Sequence, residues 1–118
     1  MRILLIEDEK DISNLYQELL SSNGFEVITA FDGENGYQIA KKGDWDVLLL
    51  DIMLPNKDGL EVLTQIHTEG LTNSRKVVIL SNIENTEVSK KSQSLGALKY
   101  IIKSEIKPSD LVDIVNSL

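Results

Sequence analysis

The chain has 118 residues, of which 42% are hydrophobic and 26% are charged, a composition typical of one globular domain with its own core. It contains no cysteine, which excludes disulfides and thiolate metal sites, and no apolar run approaches the roughly 20 residues needed to span a bilayer. Because the net charge is −7, we expect no nucleic-acid-binding surface. The start MRILLIEDE reaches acidic residues too early for a secretory signal, so we expect a cytoplasmic protein without membrane association.

Hydrophobic periodicity predicts five strands that alternate with five helices. In chain order, the predicted elements are strand 2–6, helix 11–22, strand 25–29, helix 33–42, strand 46–50, helix 58–69, strand 75–80, helix 85–95, strand 98–102 and helix 108–117. The first helix is predicted from one apolar stripe, which consists of Ile12, Leu15, Tyr16, Leu19 and Leu20. Asp32 is the expected N-cap of the second helix, and Pro108 is expected in the first turn of the last.

The short apolar runs, bounded by turn signals, indicate strands that are buried on both faces of a parallel sheet. Strand 25–29 alternates apolar and polar side chains, so we place it at an edge. The predicted fold is therefore α/β, a flavodoxin-like (βα)5 doubly wound parallel five-stranded sheet with strand order 2-1-3-4-5. In that order, the ligand crevice lies between the first and third strands.

Four of the predicted strands end at polar residues, and the carboxyl ends of parallel strands meet at one edge of a sheet. That edge gathers three carboxylates, one hydroxyl and one ammonium, which belong to Glu7, Asp8, Asp51, Ser81 and Lys103. Two carboxylates about 5 Å apart repel by roughly 3 kcal/mol at an effective dielectric of about 20, so a cation has to bind. With oxygen ligands and no nearby histidine, Mg²⁺ is the expected ion; calcium is disfavoured because no D-x-D-x-D-G loop is present.

Taken singly, each of these residues has an ordinary structural explanation. An acid at the end of a strand is usually a turn or N-cap residue, a serine there is usually a cap, and a lysine is usually solvated. Taken together, they are the residue types that a metal-assisted phosphoryl site requires. Asp51 would be the nucleophile, Ser81 would donate a hydrogen bond to a phosphoryl oxygen, and Lys103 would offset the added charge.

The segments LLIEDE, LLLDIMLPNKDGLEVL, VVILSN and GALKYIIK occur in this order over the whole chain, which thereby resembles the receiver domains of two-component response regulators. The resemblance implies that Asp51 is the phosphoacceptor and that Mg²⁺ is the cofactor. It implies that Asp8, Asp51 and the backbone carbonyl of Met53 coordinate the ion, with Glu7 assisting.

The same resemblance assigns roles around the phosphoryl group. Ser81 and Lys103 would contact that group, and Ser81 and Tyr100 would form the switch, because Tyr100 matches the aromatic position that turns inward as the hydroxyl residue moves. Met53 and Ile83 have an ordinary explanation as hydrophobic loop residues, but we hypothesise, independently of the resemblance, that they crowd the water that hydrolyses the phosphoryl group and slow that hydrolysis. His67 lies in the middle of a helix and is expected to be solvated rather than a ligand.

At two positions the sequence departs from the family pattern. Ser104 follows the lysine where proline in a cis peptide is usual, which predicts either a costly cis bond or a reshaped loop. Asn82 stands beside the phosphate entrance, where a small residue is usual. Glu7 in place of aspartate is within the range of the family.

The resemblance also implies a signalling role rather than an enzyme. A sensor histidine kinase or a histidine phosphotransfer protein would phosphorylate the chain, which would switch its helix 4, strand 5 and helix 5 face towards a downstream protein or an output domain. We expect residues 1–118 to form a single receiver domain with no output domain in this chain. A phosphorylation-dependent homodimer is a further option.

Three alternatives are weaker. A haloacid-dehalogenase-type phosphatase needs a second acid where Met53 stands. A flavodoxin-like FMN carrier needs a hydroxyl- and glycine-rich first loop, whereas this chain has EDEKD, which repels phosphate. An interaction module that works without phosphorylation leaves the intact set of acids unexplained.

Overall fold

Five strands and five helices alternate along the chain in the computed structural model, which describes residues 1–118. The strands are β1 (Arg2–Ile6), β2 (Glu26–Ala30), β3 (Val47–Asp51), β4 (Lys76–Ser81) and β5 (Ala97–Ile102). The helices are α1 (Lys10–Ser22), α2 (Gly33–Lys41), α3 (Gly59–Thr68), α4 (Thr86–Ser94) and α5 (Asp110–Asn116). All neighbouring strands are parallel, in the order β2-β1-β3-β4-β5, which confirms the flavodoxin-like doubly wound fold.

The sheet separates two apolar layers. Leu4 and Ile6 of β1 belong to the layer covered by α2 and α3, whereas Ile3 and Leu5 belong to the layer covered by α1 and α5. Successive side chains of a strand point to opposite faces, and here both faces are covered. This double burial is the reason that β1, β3 and β4 are continuous apolar runs in the sequence.

Side-chain caps determine where three of the helices begin. Asp32 Oδ1 accepts a hydrogen bond of 2.7 Å from the Asn35 amide, which confirms the predicted N-cap of α2. Asp58 caps α3 in the same way, with 2.9 Å to the Glu61 amide, and Asn85 caps α4. Each cap satisfies an amide that the first turn of a helix leaves without a partner.

Two details of the helix predictions are wrong. Leu15 was expected in the buried stripe of α1 but is 43% exposed, because the helix is rotated so that Ser13, Tyr16 and Leu20 face the sheet. Pro108 was expected inside the last helix, but α5 begins at Asp110. The segment before it is a turn in which Asp110 Oδ2 accepts a hydrogen bond from the Lys107 amide at 2.8 Å.

The loop after β5 resolves the two options that Ser104 left open. The chain contains no cis peptide bond, and Lys103–Glu105 forms a single 3₁₀ turn. The loop is therefore reshaped, and Lys103 begins the turn directly at the end of the strand.

None of the helices combines the length and the apolar character that are required to cross a membrane.

Candidate functional site

The strand ends deliver four polar side chains to the interior of the carboxyl edge. Glu7 follows β1, Asp51 and Ser81 are the last residues of β3 and β4, and Lys103 follows β5. All four are buried, with exposed fractions of 1%, 5%, 0% and 8% in that order. Charged groups are rarely buried unless they are paired, so the partners of the three buried charges are the first feature of the site to describe.

One ammonium joins the two buried carboxylates. Lys103 Nζ donates a hydrogen bond of 2.9 Å to Asp51 Oδ2, and it donates a second to Glu7 Oε1, a residue 96 positions away in the chain. One carboxylate oxygen of each of Glu7, Asp8 and Asp51 lies within 4.8 Å of the other two. The predicted convergence of the acids and the lysine is therefore present, and Lys103 already partly neutralises it.

Backbone amides hold the remaining oxygens of the buried acids. The Met53 amide donates to Asp51 Oδ1 at 3.2 Å, and the Glu9 amide donates to Glu7 Oε2 at 3.1 Å. Asp8 differs from both, because it is exposed and its carboxylate has no hydrogen bond or ion pair within the protein. The carboxylate of Asp8 thus faces solvent, and both of its oxygens are available to bind a ligand.

The surroundings shift two ionisation equilibria at the site. Burial raises the pKa of the Glu7 carboxyl to about 7, although the hydrogen bond from Lys103 opposes the rise. For Lys103, burial acts to lower the pKa, but the hydrogen bonds to Glu7 and Asp51 outweigh it and raise that pKa above its usual value. Near neutral pH the lysine is therefore charged, and Glu7 is close to the midpoint of its own titration.

The donor set fits a hard divalent cation. Three carboxylates whose oxygens lie within 4.8 Å offer the small, oxygen-only environment that Mg²⁺ prefers. The Met53 carbonyl belongs to the loop that begins directly after Asp51, and the Met53 amide is tied to that carboxylate. The three carboxylates that the sequence singled out as ligands thus match the ion in ligand chemistry, and the Met53 carbonyl lies on the loop that adjoins them.

A chain of hydrogen bonds leads from the end of β4 to the surface of β5. Ser81 Oγ accepts a hydrogen bond of 3.1 Å from the Ile83 amide, and the Tyr100 hydroxyl donates one of 2.8 Å to the Ile83 carbonyl. The rim of the site is more open, since Asn82 is exposed, Ile83 is 41% exposed and Met53 is 63% exposed. Tyr100 is thus connected to Ser81 through a single residue of the β4–α4 loop.

Sequence reasoning missed two features of this region. It directed Lys103 towards a phosphoryl group and did not foresee its contact with Glu7, for which the sequence carries no signal. It also took the buried face of α1 to be apolar, whereas Ser13 is fully buried there. Burial raises the pKa of Tyr16 on the same face, and the charges of Lys103, Glu7 and Asp51 also influence that pKa. His67 is exposed and contacts Thr72, away from the site, as expected.

Comparison with known proteins agrees with this architecture. A family model described as the response regulator receiver domain matches residues 3–116. The transcriptional regulatory protein DltR of Streptococcus agalactiae is 40% identical over 103 residues, which are 87% of this chain and 45% of that protein. The transcriptional regulatory protein CusR of Escherichia coli is 33% identical over 103 residues, 87% of this chain and 44% of that protein. The chain thus spans about half the length of these curated relatives.

Solved structures show the same fold. A CheY-like response regulator receiver domain protein from Methanospirillum hungatei superposes with a TM-score of 0.89 at 28% identity, covering 98% of this chain and 90% of that one. A chain of the CheX-CheY-BeF3-Mg+2 complex from Borrelia burgdorferi gives a TM-score of 0.88 at 27% identity, covering 99% of this chain and 87% of that one. The likeness therefore extends over the whole chain, including all the strand ends that form the site.

Proposed function

Because this chain belongs to the response regulator receiver domain family of two-component systems, we propose that it is a signalling module switched by phosphorylation of Asp51. The observation that carries the proposal is the contact of Lys103 Nζ with Asp51 Oδ2 at 2.9 Å inside a cluster of three acids. A buried carboxylate with a cation fixed on one oxygen is held in a defined orientation for attack, and the same cation lies where it can contact the phosphoryl oxygens.

The donor is a phosphohistidine of a sensor histidine kinase or of a histidine phosphotransfer protein. A carboxylate oxygen of Asp51 attacks phosphorus, a phosphorus–oxygen bond forms, and the phosphorus–nitrogen bond breaks with its electron pair on the imidazole nitrogen. Lys103 offsets the charge of the phosphoryl oxygens, and Ser81 Oγ donates a hydrogen bond to one of them. No protein base is required, because a carboxylate nucleophile has no proton that must be removed before it attacks.

Asp8, Asp51 and the Met53 carbonyl would hold Mg²⁺, with Glu7 assisting. When bound, the ion neutralises charge on the transferring phosphoryl group. The free carboxylate of Asp8 and the three oxygens within 4.8 Å support this assignment. Met53, Asn82 and Ile83 form the exposed rim, where Met53 and Ile83 crowd the water that would hydrolyse the acyl phosphate.

The switch follows from the hydrogen-bond chain at the end of β4. When Ser81 Oγ turns to a phosphoryl oxygen, the Ile83 amide loses its present acceptor, and the carbonyl that holds Tyr100 moves with the same residue. Tyr100 then turns inward, and the α4, β5 and α5 face changes shape. That face regulates a downstream protein or an output domain; the named relatives are transcriptional regulators about twice as long. A phosphorylation-dependent homodimer through this face belongs to the same proposal.

The test is incubation of the protein with Mg²⁺ and acetyl phosphate, or with a beryllofluoride mimic, followed by mass spectrometry and amide NMR. The wild type should form one adduct at Asp51 and shift the amides of Ser81 and Tyr100. Asp51→Asn should form none, whereas Asp113→Asn, which changes an exposed acid of α5, should behave as the wild type. An adduct that persists in Asp51→Asn would refute the proposal.

A further inference from the structure

The loop between β3 and α3, residues 52–58, carries the Met53 carbonyl and is packed tightly against α2. The Gly33 amide donates a hydrogen bond of 3.2 Å to the Pro55 carbonyl. A Cβ at Gly33 would lie only 1.6 Å from the Lys57 carbonyl oxygen, so the two backbones touch with no room for a side chain. The position of this loop therefore depends on α2 as well as on the strand that precedes it.

Lys57 extends from this loop into the space between α2 and α3. Its side chain is only 18% exposed, and its Nζ donates a hydrogen bond to Gln65 Oε1 of α3. The ammonium also lies 4.6 Å from the centroid of the Tyr37 ring and 3.5 Å from Glu34 Oε2, both of α2. One side chain of the loop is thus held by an amide, an aromatic face and a carboxylate from two helices.

The partners of Lys57 are themselves connected. The Tyr37 hydroxyl donates to the carboxylate of Glu69, the residue that follows α3, with 2.7 and 2.6 Å to its two oxygens, so α2 and the end of α3 are tied together around the lysine. An apolar side chain could fill the same space, but it would form no hydrogen bond or ion pair to fix its orientation. A partly buried ammonium has to meet its acceptors, and its stem therefore fixes the loop backbone from which it extends.

We propose that Lys57 is a positioning residue which, from its site between α2 and α3, holds the β3–α3 loop so that the Met53 carbonyl is preorganised beside Asp51 and Asp8. This inference rests on the proposed function of the site. It adds that the affinity for Mg²⁺ depends on contacts between the loop and helices α2 and α3, which lie away from Glu7, Asp8 and Asp51. Residues that orient a metal ligand without touching the metal commonly have this effect.

The test measures the dissociation constant of Mg²⁺ by amide NMR titration in two lysine variants that change the charge equally. Lys57→Met should weaken binding by roughly tenfold. Lys41→Met is the matched control, because Lys41 also lies over the Tyr37 ring, at 5.5 Å, but is exposed and outside the loop. Removing a positive charge should, by electrostatics alone, strengthen the binding of Mg²⁺. Weaker binding in Lys57→Met but not in Lys41→Met would therefore indicate that Lys57 positions the loop.

Two further readouts separate positioning from general destabilisation. In the metal-free protein, the amides of Leu54 and Lys57, which are hydrogen-bonded within the loop, should exchange with solvent faster in Lys57→Met, while core strand amides stay protected. Lys57→Arg should restore most of the affinity, and Gln65→Leu should weaken it without a change of charge. The pattern expected is therefore specific to the loop.

Unchanged affinity in Lys57→Met, or an equal loss in Lys41→Met, would overturn the inference and leave the proposed function intact. A wild-type protein whose amides around Asp51 do not respond to Mg²⁺ would instead overturn the proposed metal site. The loop exchange rates are measured without metal, so they test the positioning role in either case.

Discussion

Lys103 is the cation that contacts both buried carboxylates, Glu7 and Asp51, and its single charge can balance only one of them. Burial raises the pKa of Glu7 to about 7, so a proton on Glu7 supplies the second compensation near neutral pH. A divalent cation would compete with that proton. At the scale of single residues, metal binding at this site would therefore displace a proton from Glu7.

This competition predicts that Mg²⁺ binding depends on pH through Glu7. With a pKa of about 7, the ionised fraction of Glu7 rises about tenfold between pH 6 and pH 8, so the affinity should rise by a similar factor. Titration by amide NMR at both pH values measures it, and Glu7→Gln should remove most of the difference. Equal wild-type affinities at pH 6 and pH 8 would contradict the prediction.

The same group makes metal-free stability depend on pH with a defined sign. The pKa of Glu7 is higher in the folded protein, at about 7, than the ordinary value of 4.5, so the folded state holds the proton more strongly. Its stabilising contribution is fully present below pH 4.5 and is lost as the pH rises through 7. Lys103, whose pKa is also raised, stabilises throughout this range and loses its contribution only in alkali.

At the scale of elements, close backbone contacts at two glycines set how helices meet the loop that follows β3. Gly33 is the first residue of α2 and touches Lys57, and Gly59 is the first residue of α3. A Cβ at Gly59 would lie 2.1 Å from the Asp51 carbonyl oxygen. The start of α3 therefore lies directly against the strand end that carries the proposed phosphoacceptor.

Gly59→Ala should consequently destabilise the fold by about 2 to 3 kcal/mol, because backbone rather than a flexible side chain has to move. Gly24→Ala is the control, since a Cβ there meets nothing within 4 Å and the cost comes only from its φ of +90°, about 1 kcal/mol. Urea unfolding measures both. In Gly59→Ala the amides of Asp51 and Ile52 should also shift, and the prediction fails if they match the wild type.

At the scale of the whole molecule, the parallel sheet concentrates charge at one edge. The ends of β1 and β3 bring one oxygen from each of three acids within 4.8 Å of the others, while the lysine that follows β5 contacts two of these acids. Asp8, the exposed acid, has no cationic partner. The unpaired carboxylate of Asp8 therefore lowers the stability of the metal-free protein at this edge, a local cost that functional sites commonly carry.

Asp8→Asn should therefore stabilise the metal-free protein, by about 1 kcal/mol, because it removes an uncompensated negative charge beside two others. Saturating Mg²⁺ should raise the unfolding midpoint of the wild type and have little effect on the variant. Thermal unfolding with and without the ion tests both parts. Asp113→Asn should change neither, and a destabilised metal-free Asp8→Asn would contradict the interpretation.

Much of this molecule follows from local sequence. The order of elements and the parallel sheet were predicted because runs such as VLLL are apolar on both faces, and the strand order was predicted because strand 25–29 alternates like an edge strand. Every predicted boundary lies within two residues of the observed one. The convergence of Glu7, Asp8, Asp51 and Lys103 followed from the same topology, since parallel strands end at one edge. Periodicity and strand direction are local or topological properties, and a single sequence contains them.

Other features were decided only by the tertiary structure. Ser13 rather than Leu15 faces the sheet, because the rotation of α1 about its axis depends on all the contacts that the helix makes. Lys103 reaches Glu7 across 96 positions, and Lys57 lies between two helices whose separation no local pattern encodes. The sequence by itself therefore determined which groups meet at the carboxyl edge. The tertiary structure decided how they pair, because pairing depends on side-chain directions and distances that arise only when distant segments pack together.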